Sequence, residues 1–249
     1  MIRKIIIFSA VLWCFGLILS GLQAAELTFA WHGQACFTIV TSQGIRIVTD
    51  PVKMGNYDIP QSFKADIVTV SHEHGDHNQV DSLSGSPVVL RGLTGGGGRF
   101  TAIDRTIKGV RIFNVSTYHD ESRGAELGLN AVFVIETGNL RIVHLGDLGH
   151  VLTKEQVEAI GTPVDVLMIP VGGRFTIAGK AADTVIDQLK PKRIVFPMHY
   201  QTEEALFLPY SGAEFCKDKE GVSQLEGNSY IMRTDVPSGG LEYILMSYK

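Results

Sequence analysis

The 249-residue chain is poor in the features that mark special classes of protein. Three cysteines are too few for a disulfide framework, and no Pro/Ser-rich linker, internal repeat or low-complexity tract divides the chain into domains. The densest group of cations, Lys190, Lys192 and Arg193, is typical of a solvated corner, so a nucleic-acid partner is not expected. With 45% hydrophobic and 19% charged residues, the composition indicates one globular domain.

The first 25 residues have the pattern of an export signal. Arg3 and Lys4 precede an apolar run from Ile5 to Leu19, and the small residues Ala24 and Ala25 close the segment. The alternative is a retained membrane anchor, but the 18 residues of Ile5 to Leu22 fall just short of the roughly 20 that a bilayer requires. We therefore expect a signal peptide at 1–25 and a domain at 26–249, exported to the periplasm or the medium and free of the membrane after cleavage.

Cleavage would remove two cations and no anion, changing the formal net charge from −4 to about −6. Two cysteines, Cys36 and Cys216, would remain in the mature chain. Export allows a disulfide between them, but free buried thiols are the favoured alternative, since two cysteines 180 residues apart form no framework.

The pattern of apolar and β-branched residues predicts a strand-rich first half, with helices appearing late. The predicted strands are Leu27–Trp31, Cys36–Val40, Ile45–Thr49, Ile67–Val70, Val88–Arg91, Val110–Val115, Ala131–Glu136, Leu140–Leu145, Val166–Ile169 and Ile194–Phe196. The predicted helices are Thr153–Ile160, with a Thr cap, and Ala181–Leu189. Strands followed by alternating strands and helices indicate an α/β fold with mixed sheets layered against helices. The glycine-rich stretch Gly92–Gly98 is expected to be a long turn rather than a lid, and it lacks the residues of a phosphate-binding loop.

The chemical centre follows the buried strand Ile67–Val70. The segment Ser71 to His77 reads Ser-His-Glu-His-Gly-Asp-His and places His72, His74, Asp76 and His77 directly after that strand. Imidazole and carboxylate are ligands for zinc and other divalent ions. Three of the chain's eight histidines within six residues are hard to explain as a surface loop, so we predict a metal site.

One or two catalytic ions need more ligands than this loop offers. Three further candidates each follow a short apolar strand: His119, Asp147 in Gly146-Asp147, and His199 in Pro197-Met198-His199-Tyr200. Each alone is a weak signal, but strand ends that share one edge of a fold can converge on a single cleft.

These residues resemble the metallo-β-lactamase-fold hydrolases, and among them the small metal-dependent hydrolases related to the ascorbate-phosphate lactonases. The resemblance rests on His-x-His-x-Asp-His at His72–His77, on Gly146-Asp147, on Pro170–Thr176 and on Pro197–Tyr200. It implies an αββα sandwich of two mixed sheets, with the site at the edge between them, and two divalent ions. From the ligand types we expect Zn²⁺ first and Mn²⁺ second. The resemblance further implies one ion held by His72, His74 and His119, a second held by Asp76, His77 and His199, and Asp147 bridging them. Asp50 matches a position that supports the metal loop.

The chain departs from that branch at one position. Relatives often have Gly-His-Ala, whereas this chain reads Gly33-Gln34-Ala35 with His32 two residues earlier. We interpret Gln34 as an amide at the pocket edge and His32 as exposed or hydrogen-bonded structure. His144 is expected in the core, and His150 either at the pocket mouth or at a helix entry.

The leading functional hypothesis is an exported binuclear metal-dependent hydrolase. A metal-bound hydroxide would attack a small ester, lactone or phosphodiester, with Asp76 as a ligand that also orients the nucleophile. A metal-bound water, Tyr200 or His150 would protonate the leaving group, and Arg174 is either a clamp for an anionic substrate or an exposed side chain. The alternative is a non-catalytic metal-binding or ligand-sensing protein on the same scaffold. Redox chemistry at a di-iron site is a weaker third option, and β-lactam hydrolysis does not follow from the fold alone.

Overall fold

A computed structural model describes residues 26–249, so the expected signal peptide lies outside the described residues. The strands are β1 (Glu26–Trp31), β2 (Phe37–Val40), β3 (Arg46–Thr49), β4 (Ile67–Val70), β5 (Val88–Arg91), β6 (Leu93–Thr94), β7 (Arg99–Phe100), β8 (Asp104–Ile107), β9 (Val110–Tyr118), β10 (Leu129–Thr137), β11 (Leu140–His144), β12 (Val166–Pro170), β13 (Ile194–Met198), β14 (Val222–Gln224), β15 (Ser229–Arg233) and β16 (Glu242–Leu245). The helices are α1 (Lys154–Ile160), α2 (Gly179–Leu189) and α3 (Gly212–Cys216), with a 3₁₀ turn at Val80–Ser82. Within residues 26–249, no helix combines the length and apolarity that a membrane crossing requires.

Two mixed sheets carry the fold. The first has six strands in the order β15-β1-β2-β3-β4-β5, and the second has eight in the order β14-β16-β13-β12-β11-β10-β9-β8. Strands β1 to β3 form the predicted antiparallel meander, and β3, β4 and β5 run parallel. In the second sheet β11, β12 and β13 are parallel neighbours, so the chain leaves all three strands at the same edge.

The core lies between the sheets. Phe29 of β1 and Phe37 of β2 pack on Phe196 of β13, with ring centroids 5.1 and 5.7 Å from Phe196, and all three side chains are fully buried. Burying an aromatic side chain contributes roughly 1.5–3 kcal/mol, so these contacts between the first and second sheets help to fix how the two pack.

The layers outside the two sheets differ. Helix α2 buries Ala182, Val185, Ile186 and Leu189 in the main core, which includes both sheets. A second apolar cluster joins β3 and β4 to the irregular segment after β3, and it includes Val48, Val68, Val52, Tyr57 and Ile59. The sandwich of two mixed sheets that the sequence leads us to expect is confirmed. Irregular chain, rather than a helix, supplies Val52, Tyr57 and Ile59 to the second cluster.

Local signals explain most element ends. Thr153 caps α1 in a reciprocal capping box with Gln156, and Gly161, at φ +79°, caps the C-terminal end after Ile160. The predicted turn at Gly138-Asn139 joins β10 to β11, with Thr137 paired to Leu140. These signals lie within a few residues, which is why the sequence reveals them.

Other elements differ from the expectation. β9 continues to Tyr118 because it pairs with β10 along its length, Tyr118 lying opposite Leu129. The glycine-rich stretch closes into the hairpin of β6 and β7, with Gly95, Gly96 and Gly97 at positive φ. Strands β14 to β16 and helix α3 were not predicted. Cys36 and Cys216 are free and buried, so the unpaired alternative is correct.

Candidate metal centre

The loop after β4 is anchored by Asp50, which follows the parallel neighbour β3. One oxygen of the Asp50 carboxylate accepts a hydrogen bond from the Ser71 backbone N–H at 2.7 Å, and the other accepts one from the Ser71 hydroxyl at 2.5 Å. His77 Nδ1 lies 3.0 Å from Asp50 Oδ2 and would donate to it, which leaves Nε2 free to face the site. All three residues are fully buried, so Asp50 fixes both ends of the histidine loop. Its role as a support for that loop matches the expectation.

The seven predicted ligands lie together in two groups of three around one carboxylate. His72, His74 and His119 have ligand atoms within 4.8 Å of one another, and so do Asp76, His77 and His199. These are the two sets that the family resemblance implies.

Each group contains ligands that follow strands of both sheets. In the first group, His72 Nε2 lies 3.1 Å from His74 Nδ1, and His119, directly after β9, points its Nδ1 at the Phe175 carbonyl at 2.9 Å. In the second group, His77 Nε2 lies 3.6 Å from Asp76 Oδ2, and His199 directly follows β13.

Asp147 lies between the two groups. Its Oδ2 is 3.2 Å from His119 Nε2 and 3.8 Å from His72 Nε2 in the first group. In the second group it is 3.2 Å from His199 Nε2 and 3.3 Å from His77 Nε2. The Asp147 backbone N–H donates to Asn130 Oδ1 at 3.0 Å, which holds the residue at the end of β11. One carboxylate oxygen is thus within 3.8 Å of four imidazole nitrogens, two from each group.

The donors in this cluster fit divalent metal ions. Asp147 Oδ1 and His77 Nε2 are buried and have no hydrogen-bond partner among the residues described. A buried polar atom without a partner costs roughly 1–3 kcal/mol, and coordination to a cation would remove that cost. Five imidazoles and two carboxylates are a suitable donor set for zinc or manganese.

Charge coupling in the cluster is strong. Burial acts to raise the pKa of Asp147, but the imidazoles of His199 and His77 outweigh it and hold that pKa well below its usual value. Burial acts to lower the pKa of His77, but the carboxylates of Asp147 and Asp76 raise it well above normal. For His72 burial dominates and lowers the pKa. The carboxylates of Asp147 and Asp76 favour a protonated imidazole at His77, so a cation that binds there would have to displace that proton.

A third group of potential ligands, Asp50, His72 and His77, is also compact. Asp50 already accepts hydrogen bonds from Ser71 and lies against His77 Nδ1, so its carboxylate is occupied by the loop. This group is therefore a support for the cluster, and the two groups around Asp147 are the better candidate ligand sets.

The remaining histidines lie outside these groups. His32 is buried against Thr38, with Nε2 3.0 Å from Oγ1, so the hydrogen-bonded alternative is correct. His144 is buried in β11 as expected, and its Nε2 lies 2.7 Å from the Ala35 carbonyl. His150 accepts a hydrogen bond from the Tyr118 backbone, which ties it to the end of β9.

The structure also bears on the expected roles of Tyr200 as a leaving-group acid and Arg174 as a substrate clamp. The Tyr200 hydroxyl is buried and donates to the Met246 carbonyl at 3.1 Å, so the assignment as a leaving-group acid is wrong. Burial raises the pKa of Tyr200, which further opposes that role. Arg174 is exposed, stacks on the Phe175 ring at 5.0 Å and donates to the Phe207 carbonyl.

Sequence reasoning missed how Gln34 and Asn130 take part. Gln34 is not at a pocket edge: its side chain is buried and donates to Asp76 Oδ2 at 3.0 Å. Asn130, the second residue of β10, donates to the Leu145 carbonyl while its Oδ1 accepts from the Asp147 backbone N–H. The only local signal was an Asn directly before the predicted strand Ala131–Glu136.

Comparison with known proteins identifies the class. A model of the β-lactamase superfamily domain matches residues 28–199, a span that begins in β1 and ends at His199. The Thermotoga maritima structure provisionally described as a Zn-dependent hydrolase of the metallo-β-lactamase superfamily is 35% identical, with a TM-score of 0.70 over 88% of this chain and 98% of that one. Igni18, a metallo hydrolase from Ignicoccus hospitalis, covers 84% of this chain and 99% of its own at 21% identity and a TM-score of 0.61, which supports the fold alone.

A relative from Thermococcus onnurineus, named a UPF0173 metal-dependent hydrolase, is 31% identical over 190 residues. The match covers 68% of this chain and 83% of that relative. The chain therefore belongs to the β-lactamase superfamily and is a metal-dependent hydrolase of the metallo-β-lactamase fold. This result favours the enzyme over the non-catalytic alternative.

Proposed function

We propose that the protein is an exported binuclear metal-dependent hydrolase that acts on a small ester, lactone or phosphodiester. The observation that carries the proposal is the position of Asp147 Oδ2, within 3.8 Å of two imidazoles from each group. His72, His74 and His119 would hold one ion, Asp76, His77 and His199 the other, and Asp147 would bridge them. Zn²⁺ is the first candidate and Mn²⁺ the second.

The two ions would lower the pKa of a water and polarise the substrate oxygen. Of the two carboxylates, that of Asp76 is the more open, with a side chain 30% exposed against 3% for Asp147. Asp76 would therefore orient the attacking water while also acting as a ligand. The buried Asp147 would act only as a ligand.

Electrostatics favour a substrate with a carbonyl or an anionic group. Two divalent ions against two carboxylates would leave a local charge of about +2 in an otherwise acidic protein. Nucleic acid is not proposed as a substrate, because the net charge is −4 and no basic arm is present in the sequence.

Export is a separate part of the proposal and rests on the sequence of residues 1–25. Its test is the mature N-terminus of the protein expressed in a bacterial host with residues 1–25 present. A start at or near residue 26 in the periplasm or medium supports a cleaved signal. An intact N-terminus in the membrane fraction supports the retained anchor instead.

The central experiment measures metal content and hydrolysis in the same purified chain. We expect close to two ions per chain after loading with Zn²⁺ or Mn²⁺, and turnover of at least one member of an ester, lactone and phosphodiester panel. His72→Ala combined with Asp147→Ala should lose both metal and turnover, whereas the control His150→Ala should keep its metal. Failure of the unaltered chain to bind either ion after refolding would refute the proposal.

A further inference from the structure

Gln34 is the polar side chain at the site that the ligand sets leave unexplained. It lies between β1 and β2, is 1% exposed, and donates through Nε2 to Asp76 Oδ2 at 3.0 Å. Its Oε1 is also buried and has no hydrogen-bond partner among residues 26–249. One end of the amide is therefore engaged with a proposed ligand, and the other end is an unused acceptor.

The orientation of the amide follows from the chemistry of its neighbour. A carboxylate only accepts hydrogen bonds when ionised, so Asp76 requires the NH₂ end of Gln34 and would repel the carbonyl end. Because both ends share one carbon atom, Oε1 lies only about 2 Å from Nε2 and stays next to Asp76. The unused acceptor is thus adjacent to the carboxylate that we propose orients the attacking water.

The backbone at Gln34 is held in a costly conformation by its surroundings. Its φ is +45°, in the left-handed region, where a side chain other than glycine is strained. Its carbonyl accepts hydrogen bonds from the Trp31 indole N–H at 2.9 Å and from the His199 backbone N–H at 3.0 Å. Strain that neighbouring bonds maintain is typical of residues whose side chain must point in one direction.

Gly33 also keeps this turn in place. Its φ is +98°, and a Cβ there would come within 2.2 Å of the Tyr57 ring. The turn that carries Gln34 is therefore packed against Tyr57 on one side and bonded to the His199 segment on the other.

We propose that Gln34 is a positioning residue for the second group, holding Asp76 through Nε2. The inference rests on the proposed hydrolytic function. The unpaired, buried Oε1 costs free energy, a cost expected where the NH₂ end of the amide has a fixed role.

The test uses Gln34→Met, which keeps the approximate size of the side chain and removes both the donor and the acceptor. We expect kcat to fall about 10- to 100-fold with KM within twofold, because Asp76, which we propose orients the attacking water, loses its own orientation while substrate binding is kept. The second readout is Zn²⁺ titration: one of the two binding steps should weaken about 10-fold or more while the other is unchanged. Gln34→His, which again offers one donor and one acceptor, should recover most of both losses.

The matched control is Gln188→Met. Gln188 on α2 also donates once, to the Leu152 carbonyl, and has a buried Oε1 without a partner, but it lies outside both groups. It should leave kcat, KM and both metal steps unchanged.

If Gln34→Met keeps kcat and both metal affinities within twofold, the proposal is wrong. A rise in KM at constant kcat, or equal weakening of both metal steps with a lower Tm of the metal-free protein, also overturns it. Failure of the proposed function is distinct, since it appears as missing metal or missing turnover in the unaltered chain.

Discussion

The two sheets contribute to the site in different ways. The first sheet supplies four of the seven predicted ligands from one loop after β4, and Asp50 at the end of β3 holds that loop. The second sheet supplies one ligand from each of three strand ends: His119 after β9, Asp147 after β11 and His199 after β13. Yet Asp147, from the dispersed set, occupies the centre. A compact motif thus marks the site, while the packing of the second sheet builds it.

The largest expected effect comes from Asp147→Asn, which keeps the shape of the side chain and removes its charge. Four imidazole nitrogens within 3.8 Å lose their shared carboxylate, so we expect loss of at least one ion and a fall in kcat/KM of about a thousandfold or more. Metal analysis and turnover on the same preparation measure both. If the variant kept two ions and near-normal turnover, the first sheet's loop would be sufficient and the comparison would fail.

The second prediction concerns His32, a buried histidine that directly follows β1 and lies outside the site. Burial lowers the pKa of His32 to about 4, against 6.5 in an unfolded chain, with Asp58 acting in the opposite direction. The folded state therefore binds fewer protons than the unfolded one. The stability that neutral His32 contributes is present above pH 6.5 and is lost as the pH falls toward 4, by about 3 kcal/mol in total.

Urea unfolding of the metal-free protein at pH 7 and pH 4.5 measures this dependence. His32→Gln retains a polar group for Thr38 but cannot titrate, so its stability should change less between the two values than that of the unaltered chain. Metal content at pH 7 should stay the same in both. Parallel pH profiles would show that His32 has no such role.

How far the sequence predicts the site also divides between the sheets. The histidine loop is visible because its ligands fall within six residues, and the ends of α1 are visible because capping acts over three or four residues. In the sequence, Asp147 is one acidic residue after one strand. Its central position depends on the parallel pairing of β11, β12 and β13, which only the tertiary structure shows. The strained φ of Gln34 and its contact with Asp76, 42 positions away, depend on tertiary packing and left no local signal.

Asp50→Asn tests the support of the first sheet with a smaller expected effect. The Asp50 carboxylate accepts two hydrogen bonds from Ser71 and faces His77 Nδ1. An asparagine keeps one acceptor oxygen but turns an NH₂ group, which cannot accept, toward either Ser71 or His77. Removing such a support for a metal ligand typically costs about 10- to 100-fold in metal affinity. Zn²⁺ titration should show weaker binding while the fold is retained. Affinity equal to that of the unaltered chain would mean that the loop holds its own shape.

The smallest expected effects concern two glycines, one from each side of the comparison. Gly172 follows β12, and a Cβ there would lie 2.1 Å from the His199 carbonyl oxygen, so Gly172→Ala must move backbone. Gly75, inside the histidine loop, has no atom within 4 Å of a Cβ position and no positive φ. Because backbone contacts place the ligands of the second sheet, we expect Gly172→Ala to weaken the second ion about tenfold and Gly75→Ala to leave it unchanged.

Paired Zn²⁺ titrations of these two variants provide the comparison, with circular dichroism to confirm that each remains folded. The residue changes are chemically identical, so any difference between them arises from the space around each glycine. The reverse result, in which Gly75→Ala binds Zn²⁺ more weakly than Gly172→Ala, would mean that metal binding is more sensitive to changes in the histidine loop than to changes near His199. The dispersed ligands would then be the robust half of the centre, because sheet pairing fixes His199 despite the displaced Gly172.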